Sequence, residues 1–207
     1  MDRAHVAELY YIVDVRNLPS IAKRGLLCHT AAVKVAHVSV ANEDVQARRA
    51  RLTVPRGLSL HEYVNLYFNP RNAMLYTLVR NAPPQGLCVL GLNPAPQGKT
   101  PILDMPGVVI TSQNAASGPR WLPSPTGLTL LDEALVYTRD WNHPDPAEKE
   151  RRSQIAQAEV LVPHAIEFGY VSRVYVTCTD TERDIKRTGV LISTQVRPDM
   201  FFGYVKR

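Results

Sequence analysis

Apolar and polar positions alternate with a period of two in several short runs and follow a helical period in only a few, which predicts short strands and short helices such as any α+β protein carries. Leu9-Tyr10-Tyr11-Ile12-Val13-Asp14-Val15 is rich in aromatic and β-branched residues and predicts a first strand. A short helix is expected next, with Asn17 as its cap, Pro19 in its first turn, Leu18, Ile21 and Ala22 on its apolar side and Gly25 as its stop. Residues 44–52 predict a second short helix, in which Arg48 and Arg51 share a face while Arg49 points elsewhere. From residue 61 to 71 the alternation is clean. Val64, Leu66 and Phe68 take one face and Tyr63, Asn65, Tyr67 and Asn69 the other, which predicts a half-buried strand with a polar, hydrogen-bonding outer face. Asn69-Pro70-Arg71-Asn72 then turns, and residues 73–79 continue as helix or strand. Further strands are predicted at 87–92, 108–111, 170–176 and 189–193, and helices at 128–135 and 180–187. Residues 112–125 read as a loop in which Trp121 stands out by its size.

The run Gln157-Ala158-Glu159-Val160-Leu161-Val162-Pro163 breaks this pattern with one acid. Val160, Leu161 and Val162 favour a strand that Glu159 enters from its first residues, sharing a face with Leu161 while Val160 and Val162 take the other. A carboxylate at the mouth of an apolar strand is costly unless it is paired or used. On these residues alone, an acid facing solvent or an arginine is the commoner outcome, and a catalytic acid the sharper one. The arginines at 48, 49 and 51 divide in the same way, between a solvated face and a forked grip on phosphates.

The 207 residues suffice for a full core and predict one domain, 1–207. A hydrophobic share of 45% and a charged share of 21% are ordinary for a globular protein, whereas a net charge of +5 and a pI near 9.2 favour a polyanionic partner. Cys28, Cys88 and Cys178 are odd in number, widely spaced and without a CxxC, which argues against a disulfide framework and a zinc site and fits a reducing cytoplasm. The opening Met1-Asp2-Arg3-Ala4-His5 does not read as a signal peptide, and no apolar run reaches the roughly 18 residues of a membrane span, so a cytoplasmic protein with no membrane partner and no metal is expected. Two motifs fail on spacing. His61-Glu62 begins a zinc-protease pattern that Asn65 breaks, and Gly98-Lys99-Thr100 lacks the first glycine of a phosphate loop, where Asn93 stands. Residues 139–156, with Trp141, His143, Pro144 and Pro146 among nearly balanced charges, form the least core-like region and lead directly to Glu159, a position suited to holding a substrate or to a plain surface loop and helix.

Four segments together carry a family resemblance: the 10–27 opening, the arginines of 46–49, the 63–76 segment with its Tyr-Phe-Asn-Pro-Arg-Asn-Ala-Met-Leu-Tyr core from Tyr67 to Tyr76, and 157–163. The chain resembles DarT, the DNA ADP-ribosyltransferase toxins of the DarT–DarG toxin–antitoxin systems. The resemblance implies an ADP-ribosyltransferase-like fold, a split antiparallel β core with peripheral helices. It implies NAD as co-substrate, single-stranded DNA as acceptor and a DarG-like macrodomain antitoxin as partner. By the same resemblance Glu159 is the catalytic glutamate and Arg49 the catalytic arginine, with Arg48 and Arg51 as alternative registers. Tyr11, Ile12, Ser20, Gly25 and Leu26 fall where the family's opening segment wraps NAD, and Tyr67, Arg71, Met74 and Tyr76 where it frames the nucleotide pocket. Residues 139–156 fall where the family's substrate-recognition loop precedes the glutamate. The family opening usually reads Tyr-His-Ile-Thr, whereas here it is Tyr10-Tyr11-Ile12-Val13, and Ser20 stands where Asn is frequent, which leaves the modified base open.

Cleaving the nicotinamide glycosidic bond builds positive charge on the ribose, as in glycoside hydrolysis. Glu159 is expected to stabilise that charge and help remove the acceptor's proton, and Arg49 to hold a diphosphate oxygen or polarise the acceptor base. Single-stranded DNA fits because base edges are hidden in a duplex. The alternatives are transfer to RNA or protein, and a basic nucleic-acid-binding module without catalysis, which has no use for Glu159.

Overall fold

A computed structural model describes residues 1–81 and 86–203. The first half contains β1 (Leu9–Asp14), α1 (Leu18–Arg24), β2 (Leu26–Leu27), α2 (His29–Ala32), α3 (Glu43–Arg49), β3 (Tyr63–Tyr67), α4 (Ala73–Asn81) and β4 (Leu87–Leu92). The second contains β5 (Val109–Thr111), β6 (Trp121–Pro123), α5 (Glu133–Val136), α6 (Pro146–Ile155), β7 (Glu159–Pro163), β8 (Ala165–Ile166), β9 (Val171–Val176), α7 (Thr179–Arg187) and β10 (Ser193–Val196).

Eight strands form one sheet in the order β10-β9-β4-β1-β3-β7-β5-β6, and β2 pairs with β8 beside it. β1 and β4 pair along their whole length, from Leu9 opposite Leu92 to Asp14 opposite Leu87. β1 and β3 meet only at Tyr10 opposite Tyr67, so the sheet splits between them. The expected split antiparallel core is therefore present, with one departure: the edge strand β10 runs parallel to β9.

Alternation assigns the strand residues to two faces. Leu9 and Val13, Val64 and Leu66, Leu90 and Leu92, and Val160 and Val162 enter one large core, closed by Leu18 and Ile21 of α1 and Ile185 of α7. The opposite face carries two smaller clusters. Ile12, Tyr67 and Val89 pack under Leu75 and Val79 of α4, while Tyr63 and Leu161 pack with Val54, Leu60 and Ala115. This corrects the expected polar outer face of β3: Tyr63, Tyr67 and Asn69 are all buried, because a second layer covers them.

Other departures have local causes. The strand expected at 189–193 begins only at Ser193, after Gly189 in a left-handed conformation (φ 74°) and an exposed Leu191. The 112–125 loop contains β6. The helix expected at 128–135 divides into a 3-10 turn, Thr126–Leu130, and α5, because Leu131 is extended and the Asp132 side chain caps α5 by accepting from Leu135 N. Residues 73–79 resolve as helix, and residues 139–156 are not loop throughout but contain α6.

Candidate active site

Glu159 is flanked on both sides by paired strands, opposite Tyr67 of β3 and Thr111 of β5. Its backbone N–H donates to Thr111 Oγ1 at 3.2 Å. Its side chain lies on the face of the smaller clusters and accepts from Arg49 Nη1 at 3.2 and 3.4 Å and from Ala115 N at 3.4 Å. Arg49 reaches it from the last turn of α3, a helix capped by Asn42 and bearing Glu43 and Asp44 in its first turn, where acids favour the helix dipole. As the spacing predicted, Arg49 points away from Arg48 and Arg51; those two are exposed, while the side chains of Arg49 and Glu159 are 5% and 0% exposed.

The pair is loose for a buried one. Charge-assisted bonds of this kind usually measure about 2.7–2.9 Å, and Arg49 Nη2 is buried without a hydrogen-bond partner. Burial pushes the Glu159 carboxyl above its ordinary range, and the charge and hydrogen bond of Arg49 and the N–H of Ala115 pull it back only in part. Burial likewise raises the Tyr67 hydroxyl, with Glu159 adding to the effect and Arg49 opposing it. That hydroxyl donates to Met74 Sδ at 3.5 Å.

Arg49 forms part of the wall of a cavity of about 470 Å³, within the range of small-molecule sites. Tyr63, Asn65 and Tyr67 of β3 line it, as do Met74 and Thr77 of α4. Tyr11, Ile12 and Val13 from β1 and Val64 from β3 also contribute, residues from both faces of the sheet, so the cavity enters the wedge where β1 and β3 diverge. Val38 to Ala41, from the segment between α2 and α3, also form part of its wall. Asn17 fastens this segment: its Nδ2 donates to Val38 O and its Oδ1 accepts from Val38 N, both at 2.8 Å. Asn17 therefore stands at the expected cap position of α1 without capping it by its side chain.

A family model described as ssDNA thymidine ADP-ribosyltransferase, DarT, matches residues 10–202. The chain belongs to the DarT family. It is 29% identical over 206 residues to a DNA ADP-ribosyl transferase–DNA ADP-ribosyl glycohydrolase fusion protein of Thermosipho africanus, covering 96% of this chain and 50% of that one. It thus spans half the length of that relative. It is also 29% identical over 184 residues to a DNA ADP-ribosyl transferase of Thermus sp. strain 2.9, with 81% and 80% of the two chains covered. The structure of Thermosipho africanus DarTG with ADP-ribose superposes with a TM-score of 0.78 at 26% identity, over 94% of this chain and 51% of that one. That of Thermus sp. 2.9 DarT with ADP-ribosylated single-stranded DNA gives 0.75 at 23% identity, over 94% and 95%, a likeness of fold.

The residues that the DarT resemblance selects separate into three groups. Tyr11, Ile12, Arg49, Tyr67 and Met74 line the cavity, and Glu159 lies behind Arg49 without lining it. Ser20, Gly25 and Leu26 do not line it; Leu27, next in the chain, does. Gly25 serves the backbone instead: its φ is +78°, and a Cβ there would lie 2.2 Å from Ile166 O, so only glycine lets β2 approach β8. Arg71 and Tyr76 also lie outside the cavity wall. Arg71 donates from Nε and Nη2 to Arg139 O at 3.3 and 3.1 Å and from Nη1 to Asp199 O, and its guanidinium lies 4.3 Å from the Phe202 ring centre. Tyr76 meets Phe202 and Trp141 edge-on at 5.1 and 6.0 Å.

The DarT-like Asn-Pro-Arg-Asn turn is largely architectural. Asn69 Nδ2 donates to Val136 O and Thr138 O, and Asn72 Oδ1 accepts from Leu75 N at the start of α4. Sequence reasoning missed His29, His61 and Gln46, which line the cavity together with Asn65, a residue it had placed on the hydrogen-bonding face of β3. For His61 a signal existed, since His61-Glu62 begins a zinc motif that Asn65 breaks. His29 sits in a short helix with no pattern of its own.

Proposed function

We propose that the chain transfers ADP-ribose from NAD to a thymidine base of single-stranded DNA and releases nicotinamide. The observation that carries this is a cavity whose wall includes Arg49, itself paired with the buried Glu159, with no aspartate or glutamate among its described lining residues. Such a wall suits an anionic dinucleotide. Arg49 Nη2, His61 Nε2 and Gln46 Oε1 are buried without hydrogen-bond partners, and all three residues line the cavity, so unused donors and an acceptor are available to NAD.

In the transfer the ribose–nicotinamide bond breaks, a ribose–base bond forms and the base loses a proton. Arg49 holds a diphosphate oxygen through its free Nη2 and, as it turns to do so, loosens its long contact with Glu159. The freed carboxylate holds positive charge on the ribose and takes the proton of the base. The raised carboxyl suits the second task, since a stronger base accepts the proton more readily.

The thymidine choice follows the family's description, and DNA as acceptor follows the names of both relatives. Residues 1–207 are read as one transferase domain. The partner in this reading is a DarG-like macrodomain that removes ADP-ribose, supported by a relative that joins a transferase to a glycohydrolase in one chain. The cytoplasm is the site of action in this reading, as the three unpaired, widely spaced cysteines suggest; no helix among the described residues is long and apolar enough to cross a membrane.

Purified protein, NAD and single-stranded oligonucleotides each lacking one base, followed by mass spectrometry, test the proposal. A gain of one ADP-ribose on every oligonucleotide except the one without thymidine is expected. Transfer to an oligonucleotide without thymidine overturns the base, and transfer only to RNA or protein overturns the acceptor.

A further inference from the structure

The ionisable groups of the cavity wall are of one kind: its lining includes Arg49 and the histidines His29, His37 and His61, and no acid among the described residues. His29, at the start of α2, and His61, in the turn before β3, lie in ring contact, with centroids 4.1 Å apart and planes tilted by 40°. Two imidazoles this close repel as soon as both are charged, and Arg49 adds to the repulsion. His61 Nε2 and Arg49 Nη2 nevertheless stay buried without partners. A tilted ring pair needed only for packing has no use for an unpaired ring nitrogen at an acid-free wall.

The groups acting on the pair come from each neighbouring element. His37, from the segment 33–42, and Arg49, from α3, act on His29; His29 and Arg49 act on His61, opposed by the backbone of Gln46. Glu62, next in the chain, turns away and accepts from Ser59 N at 3.2 Å. Burial first, and repulsion from the neighbouring imidazole and from Arg49 second, hold both imidazoles below their ordinary range. Both effects favour uncharged rings while no anion is near.

We propose that His29 and His61 complete, with Arg49, an anion seat for the diphosphate of NAD, and that seating the diphosphate draws a proton from solvent onto the histidine pair. This rests on the reading of the cavity as the NAD site. A diphosphate brings a negative charge on each phosphate. Arg49 offsets one, and a proton on either ring offsets the other. The ring contact disfavours a second proton, so the uncharged ring remains free to share a hydrogen bond. Both histidines are positioning residues here, and neither touches the reacting bond.

Calorimetry of the whole protein with the carbocyclic analogue of NAD, at about pH 6.5 in two buffers of different ionisation heat, counts the protons. Wild type is expected to take up roughly half a proton or more per analogue bound, and its affinity to fall about tenfold between about pH 6 and pH 8. Nicotinamide riboside, which has no phosphate, binds without uptake. His61→Gln and His29→Gln each reduce the uptake and flatten the pH profile, losing more affinity at acid pH than at alkaline pH. Circular dichroism on the same samples reports folding, so that a collapsed variant is replaced by its Asn counterpart. Analogue binding by wild type without proton uptake overturns the histidine seat and leaves the NAD reading standing. Absence of analogue binding at every pH overturns both.

Discussion

Replacing Arg49 by Met removes the only cation bonded to Glu159 among the described residues and leaves the carboxyl enclosed at 0% exposure. Breaking a buried pair on one side costs about 3–5 kcal/mol when the remaining group must stay charged. Glu159 escapes part of that cost by binding a proton. In the native chain burial already raises this carboxyl and Arg49 opposes the rise; without Arg49 it climbs further. The folded state then holds a proton that the unfolded chain releases once pH passes the ordinary carboxylate range. Stability falls as pH rises through the window between the unfolded and folded values, and levels off above the folded one.

The deficit of Arg49→Met against wild type is therefore small near pH 5 and largest near pH 8. For a chain of this length about 1 kcal/mol moves Tm by about 2–4 °C, so the deficit is about 10 °C at pH 8 and a few degrees at pH 5. Thermal melts followed by circular dichroism at three pH values measure it. A double variant, Arg49→Met with Glu159→Leu, removes both charges and recovers most of the loss, because no buried charge is left over. Equal deficits at all pH values, or a double variant as unstable as the two single losses added together, would refute the reasoning.

Three further outcomes follow from the geometry. Asn17→Ala removes both hydrogen bonds to Val38 and frees the segment over the cavity; NAD affinity falls about tenfold in calorimetry and amide exchange at Val38 speeds up, with global Tm changed far less. Gly25→Ala places a Cβ against Ile166 O at a φ of +78° and costs about 3 kcal/mol or more in urea unfolding; a loss below about 0.5 kcal/mol would show that β2 yields easily. Arg71→Ala releases Arg139 O and Asp199 O; oligonucleotide affinity falls while NAD affinity holds, and the reverse split would return Arg71 to the NAD site.

How much of this could be read from the sequence depended on the range of the interaction. The alternation of β3 and β7 gave the faces of both strands, and the i,i+3 spacing of Arg48 and Arg51 set Arg49 apart, because these are local regularities of the backbone. Whether the Tyr63–Tyr67 face was wet or dry depended on α4 and on the cluster around Leu60, brought by chain segments that no periodicity connects to β3. Arg71 and Tyr76 show the limit of reading a site from a motif. The stretch that identifies the family supplies a helix cap at Asn72 and a clamp at Arg71 as much as it supplies a pocket. The pairing of His29 with His61 was beyond reach for the same reason as the burial of Tyr63: the contact joins residues far apart in the sequence.

The central claim is that transfer occurs at the Arg49–Glu159 end of the cavity. The most direct test is a single turnover of Glu159→Gln with saturating NAD and a thymidine-containing oligonucleotide, read by mass spectrometry, with NAD affinity measured on the same sample. Gln keeps the shape and an acceptor for Ala115 N but loses the charge. The account predicts NAD affinity within about threefold of wild type and transfer at least about a hundredfold slower. Transfer at the wild-type rate would contradict it and move the chemistry away from this pair.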